Sequence, residues 1–202
     1  MSGGRQLLIM ARAPVPGACK TRLIPALGAA GAAALQRRLL HHILTEAARV
    51  RGATLTIHAH PDTEHPLLRE WAAEFGARLR PQQGSDLGER MAHALARALA
   101  DGGPAVLVGS DSPGYATDYL EAAFAALEVG HPLVLGPAVD GGYVLIGLNR
   151  FEPALFRDIP WGGERVAART RERAAAAGLR WFELEPLADI DTPADIPPGW
   201  YS

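Results

Sequence analysis

The chain has 202 residues, 48% of them hydrophobic, and a formal net charge of −2. That length and apolar share suffice for one globular domain with a sizeable core and argue against disorder. The near-neutral balance excludes bulk attraction to nucleic acid or an anionic membrane, and a single cysteine excludes both an intrachain disulfide framework and a cysteine-based zinc site.

In chain order, Leu-Leu-Ile-Met at 7–10 reads as a strand buried on both faces. It is too short for the apolar region of a signal peptide, and Arg12 follows at once. Residues 11–23 form a loop, because Pro14, Pro16 and Gly17 forbid a helix through its middle. Leu35, Leu39, Ile43, Ala47 and Val50 recur at helical spacing and predict a helix over 28–51, and alternation predicts a second strand over 54–58. A helix over 65–75 carries Leu68, Trp71 and Phe75 on one side, and a short strand follows at 77–80. Asp86 with Glu89 resembles a capping box, opening a helix whose apolar stripe is Leu87, Met91, Leu95 and Leu99.

Ala-Val-Leu-Val at 105–108 reads as a buried parallel strand. Asp118 with Glu121 predicts a second cap, for a helix burying Leu120, Phe124 and Leu127. Strands at 132–135 and 143–146, an Arg- and Ala-rich helix over 163–177 and a strand over 179–184 follow. No apolar run approaches the ~20 residues of a membrane span. The alternation predicts a three-layer α/β fold with a mostly parallel sheet, one domain over residues 1–202, in the cytoplasm.

In open α/β sheets, ligands bind beyond the carboxyl ends of strands. Gly-Ser-Asp-Ser-Pro at 109–113 puts Asp111 just past one strand, and Gly-Pro-Ala-Val-Asp-Gly-Gly-Tyr at 136–143 puts Asp140 past another. Two such carboxylates can share a divalent cation, and with it a phosphate. The plainer alternatives are a capped turn at Asp111 and a hairpin at Asp140-Gly141. In the first loop Arg12, Lys20 and Arg22 gather on a backbone shaped by Pro16 and Gly17. Such a loop can hold a diphosphate through N–H groups and charge-assisted bonds. It has neither Walker A nor Gly-x-Gly-x-x-Gly spacing. Gly141 and Gly142 give a ligand room to approach the backbone. Cys19 lies beside Lys20, an arrangement that lowers a thiol pKa, but no orienting base is evident. The histidines show no metal-ligand pattern, and His41 and His42 point to different sides of a helix.

Taken in order, the basic loop, Gln-Gly-Ser-Asp-Leu-Gly-Glu-Arg-Met at 83–91, the runs at 109–113 and 136–143, Pro160-Trp161 and Asp-Ile-Asp-Thr-Pro at 189–193 resemble the bacterial DUF2064 family. That family lies within the glycosyltransferase-A-like nucleotide-diphospho-sugar transferase superfamily, and the resemblance covers nearly the whole chain. It implies a Rossmann-like sheet that binds a nucleotide or nucleotide sugar with Mg²⁺ or Mn²⁺ and acts on a small-molecule acceptor. Asp111 and Asp140 are the implied catalytic residues. Asp111 and Asp191 are the implied metal ligands, with Asp140 the rival for the second place. Arg12, Pro16, Gly17, Lys20 and Arg22 fall to the phosphates, Glu89 and Arg90 to base or ribose, and Gly141, Gly142, Tyr143 and Trp161 to sugar or acceptor.

Thr192, Pro193 and Asp195 make a helix-start pattern, of which Asp191 can equally be part. At two of these motifs the chain departs from the family it resembles. Only one acidic residue stands where the superfamily carries Asp-x-Asp, and Gly162-Gly163 replaces small hydroxyl residues after the tryptophan. The expected activity is glycosyl transfer. Nucleotidyl transfer with pyrophosphate release, which Lys20 favours, stands second, and nucleotide binding without turnover third.

Overall fold

The structure, a computed structural model, describes residues 4–200. Seven strands form one sheet: β1 (Arg5–Arg12), β2 (Ala53–His60), β3 (Arg78–Pro81), β4 (Ala105–Val108), β5 (Leu133–Pro137), β6 (Tyr143–Leu148) and β7 (Trp181–Glu183). Their order is β3-β2-β1-β4-β6-β5-β7. Every neighbouring pair is parallel except the two that β6 makes with β4 and β5. The helices are α1 (Ile24–Ala48), α2 (Pro66–Glu74), α3 (Leu87–Ala100), α4 (Thr117–Glu128) and α5 (Val166–Ala176). Among the described residues, none is long and apolar enough to cross a membrane.

Side chains alternate across a strand, so each central strand feeds two cores. Leu7, Ile9 and Ala11 of β1 pack with α1, α2 and α4. Leu8 and Met10 pack with α3 and α5 on the other face. A third cluster joins Leu23, Leu35 and Leu39 to Ile190 and Ile196, with Trp200 packed against it. This draws the C-terminal segment over α1, where the Trp200 ring meets His42 and the Arg38 guanidinium.

The three-layer α/β expectation holds, and topology locates the site. The chain leaves β1 for β2 on one side and, after β3, crosses back to lay β4 on the other side of β1. The loops leaving β1 and β4 therefore diverge and open a crevice at the carboxyl ends of the strands.

Several local expectations change in the tertiary setting. The first helix begins at Ile24 and is interrupted at Gly28, whose φ of 68° and ψ of 168° no helix accommodates. Sandwiched between β1 and β3, β2 is buried continuously across its middle and does not alternate. His58 is thus buried, and burial with the nearby Arg80 lowers its pKa to about 4. Leu87 is 44% exposed and does not belong to the apolar stripe of α3. Asp86 does cap α3, accepting from Glu89 N at 2.8 Å, but the Glu89 carboxylate returns to Ser85. Asp118 and Glu121 do not cap α4. The N–H of Thr117 is taken by Glu46 of α1 at 2.8 Å, while Glu121 binds Arg5 and the N–H of Arg51.

Candidate functional site

A cleft of about 510 Å³ opens at the switch point, lined among others by Met10 and Arg12 of β1 and by residues 109–111 after β4. One wall is the first loop. Within it Lys20, just before the 3₁₀ turn Thr21–Leu23, adopts a left-handed conformation with φ 46° and ψ 43°. The side chain is only 5% exposed. Its ammonium donates to the Ile190 carbonyl at 2.6 Å and lies 3.1 Å from Asp111 Oδ1. Lys20 is the only lysine in the sequence; every other basic side chain that titrates above neutrality is arginine. Arg12 donates to the Ala18 carbonyl at 3.1 Å, and Arg22 to Asp191 Oδ2 at 2.9 Å.

The floor is acidic. Beyond β4, the Ser110 hydroxyl accepts from Gln36 of α1 at 3.1 Å. The Asp111 carbonyl accepts from Ile190 N at 3.0 Å, and the Ser112 hydroxyl donates to the Ala188 carbonyl at 2.6 Å. These bonds fasten the late Asp-Ile-Asp segment to the strand end, so Asp189 and Asp191 line the same cleft as Asp111. Burial, then the charges of Asp111 and Asp140, push the Asp189 carboxyl up to about 7, with Lys20 opposing. Sequence reasoning did not single out Asp189. The available signal was the Asp-x-Asp spacing at 189–191, within a segment already marked out.

Among the described residues no three acidic, histidine or cysteine side chains converge on a point that could hold a metal ion. The donors present are nonetheless all hard oxygens, and a positive charge, the Lys20 ammonium, already lies between Asp111 and the Ile190 carbonyl. Such a set suits Mg²⁺ or Mn²⁺ when phosphate oxygens complete the shell.

Other lining residues of the cleft differ in character. Leu87, Met10 and Met91 offer apolar surface. The Gln82 amide nitrogen donates to the carbonyls of Ala11 and His58, at 3.3 and 2.9 Å, which leaves the amide oxygen as its accepting group. Arg90 is held by the Gly84 carbonyl and faces His60 Nδ1 at 3.3 Å. A guanidinium only donates, so Nδ1 accepts and the ring proton sits on Nε2. Burial, followed by Arg90 and Arg12, lowers the His60 pKa, with Asp62 opposing.

Of the residues expected at a site, Arg12, Lys20, Arg22, Arg90, Asp111, Tyr143 and Asp191 line this cleft. Pro16, Gly17, Glu89, Asp140, Gly141, Gly142 and Trp161 are not among its lining residues. Asp140 to Gly142 form the β5–β6 hairpin turn, with Asp140 Oδ1 accepting from Gly142 N at 2.9 Å. At Gly141, φ 93°, an added Cβ would overlap the Glu164 carbonyl. That glycine therefore admits the backbone entering α5, and its carbonyl accepts from the Ala167 N–H at 3.0 Å. Trp161 packs over Gly88 of α3 beside Tyr143 and Phe156. Cys19 is buried and donates to the Val15 carbonyl. Burial raises its thiol pKa despite Arg12 and Lys20, reversing the lowering expected from sequence.

An α/β sheet of this order with its cleft at the β1/β4 switch point is the architecture of the nucleotide-diphospho-sugar transferases. The chain aligns with a provisionally assigned member from Desulfovibrio desulfuricans G20 at 36% identity and a TM-score of 0.85, over 95% of this chain and 84% of that one. Two more distant structures share the fold. The 4-diphosphocytidyl-2C-methyl-D-erythritol synthase of Anaerococcus prevotii aligns at 10% identity and TM-score 0.64, over 95% of this chain and 94% of that one. The glucosyl-3-phosphoglycerate synthase of Mycobacterium tuberculosis, solved with Mn²⁺, UDP and glucosyl-3-phosphoglycerate, aligns at 14% and 0.58, over 96% of this chain and 74% of that one. The chain belongs to the DUF2064 family, described as uncharacterized proteins conserved in bacteria, whose model matches residues 43–163. No curated protein matches it.

Proposed function

We propose that this chain is a divalent-cation-dependent transferase that moves the sugar of a nucleoside-diphosphate sugar to a small acceptor. The observation that carries this is one cleft in which the first-loop cations Arg12, Lys20 and Arg22 meet the carboxylates Asp111, Asp189 and Asp191. The diphosphate lies against the three cations, in charge-assisted bonds. Asp111, with Asp189 or Asp191, holds Mg²⁺ or Mn²⁺. When bound, the cation offsets the charge that builds on the departing diphosphate.

The chain's own groups do the rest. Pro16 and Gly17 shape the loop. The base rests on Leu87, Met10 and Met91, its edge facing the Gln82 amide oxygen and the His60 Nε2–H, while Arg90 orients His60. Asp140, exposed and close enough to raise the pKa of Asp189, takes the proton of the acceptor hydroxyl. Tyr143 and Trp161 bound the sugar side. The 36% identical relative, provisionally a nucleotide-diphospho-sugar transferase, supports this assignment.

Nucleotidyl transfer is the second possibility, favoured by the placement of the only lysine against the proposed phosphate site. A thermal-shift screen of sugar nucleotides and nucleoside triphosphates, with Mn²⁺ or with EDTA, finds the donor. A ligand at ~100 times its Kd adds roughly 2.7 kcal/mol, a shift of several degrees. Phosphorus NMR of turnover then separates nucleoside-diphosphate release, expected here, from pyrophosphate release. Absence of any metal-dependent shift overturns both activities.

A further inference from the structure

We infer that Lys20 is a resident counter-ion of the acidic floor, so that a divalent cation and the phosphates of a nucleotide bind together and either alone binds poorly. This rests on the cation and phosphate sites proposed above. A lysine seldom sits at 5% exposure unless its charge is paired. Here the pairing is with the oxygens a metal would need. The ammonium is 3.1 Å from Asp111 Oδ1 and donates to the Ile190 carbonyl at 2.6 Å.

The left-handed backbone at Lys20 helps bring it there. Only one other non-glycine residue, Asp158, has positive φ among the described residues. The chain otherwise uses arginine for its strong bases. A planar guanidinium with five donors does not substitute for a compact ammonium between a carboxylate and a carbonyl.

A metal ion bonded to Asp111 would lie about 2.0–2.6 Å from the same carboxylate that Lys20 contacts. Two positive charges that close repel strongly in a half-buried cleft. Metal alone must therefore displace Lys20 from its partners, with no anion ready to receive it. The phosphates of a nucleotide supply both missing parts, since they offer Lys20 a new anionic partner and complete the oxygen shell of the cation. Binding is thus synergistic, and linkage requires the metal to tighten the nucleotide by the same factor as the nucleotide tightens the metal.

Being the only lysine, Lys20 is its own probe. Protein labelled with ¹⁵N-lysine gives a single side-chain ammonium signal. That signal is expected to stay in place with Mg²⁺ alone at submillimolar concentration. It should shift when Mg²⁺ is added with ADP, CDP, GDP or UDP, whichever binds. In parallel, Mn²⁺ is titrated without nucleotide and free Mn²⁺ is read by electron paramagnetic resonance. Lys20→Met is expected to bind Mn²⁺ about tenfold more tightly than the wild type, and to lose most of the mutual enhancement between Mn²⁺ and the diphosphate. If Lys20→Met does not fold, Lys20→Gln, which keeps a donor for the Ile190 carbonyl, carries the same readout. Unchanged or weaker Mn²⁺ binding in the variant overturns the inference, even where nucleotides bind. Tighter Mn²⁺ binding in a protein that binds no nucleotide instead upholds the counter-ion and refutes the proposed transferase.

Discussion

The backbone N–H of Ile190 donates to the carbonyl of Asp111 at 3.0 Å, and the Ile190 side chain is fully buried beside Leu23, Leu35 and Leu39. One residue thus anchors the late segment twice, by hydrogen bond and by packing. Its neighbours Asp189 and Asp191 are left lining the cleft beside Asp111.

Burial of Asp189, and then the neighbouring carboxylates, makes stability depend on pH. The Asp189 pKa, about 7 in the fold against 3.8 ordinarily, means that the folded state holds a proton which the unfolded state has released. Stability is therefore highest below about pH 4 for this group and falls as pH rises towards 7. Asp189→Asn is neutral throughout, so its Tm should match the wild type near pH 4 and exceed it by several degrees near pH 8. Thermal denaturation across that range checks this. Parallel profiles would show that Asp189 does not titrate as described.

Gly141→Ala tests whether the hairpin glycine serves packing. The substitution meets both a left-handed φ of 93° and the Glu164 carbonyl. We expect a loss of roughly 2–4 kcal/mol in urea denaturation. A change within about 0.5 kcal/mol would mean the hairpin and the entry to α5 do not touch.

Gly88→Ala sets helix propensity against packing. In an exposed helix, alanine would gain about 1 kcal/mol over glycine. Here its Cβ would overlap the Trp161 indole, so a net loss of about 1–3 kcal/mol is expected. Trp161→Leu in the same chain should recover part of it, and a double-mutant cycle measures the coupling.

Arg22→Ala separates stability from binding. Its pair with Asp191 joins side chains 72% and 46% exposed, and such pairs contribute at most about 1 kcal/mol. Denaturation midpoints should barely move. Affinity for the nucleoside diphosphate, read by calorimetry with Mn²⁺ present, should fall about tenfold through the lost charge-assisted bond. Unchanged affinity would remove Arg22 from the phosphate site.

Much of the architecture was legible because its signals are local. Short apolar runs marked β1 and β4 and helical periodicity marked α1, and the cap at Asp86 and the Thr192–Asp195 capping box are short-range contacts that the chain spells out directly. Asp111 at a strand end was legible for the same reason. The antiparallel insertion of β6 was not, because nothing within residues 143–148 specifies which neighbours they pair with. Nor was the fate of Glu121, drawn to an arginine on β1.

By itself, the sequence determined the alternation of strand and helix, the basic first loop and the carboxylate past β4, since each depends on neighbours a few residues away. Tertiary structure alone decided that Asp189 is the half-buried member of the acidic floor whose pKa is raised to about 7, that Lys20 lies against Asp111, and that Gly141 yields to Glu164. The reason is common to all three. A carboxylate's desolvation, an ammonium's counter-ion and the atom that fills a glycine's vacant side are supplied by segments remote in the chain, and only the folded sheet brings them together.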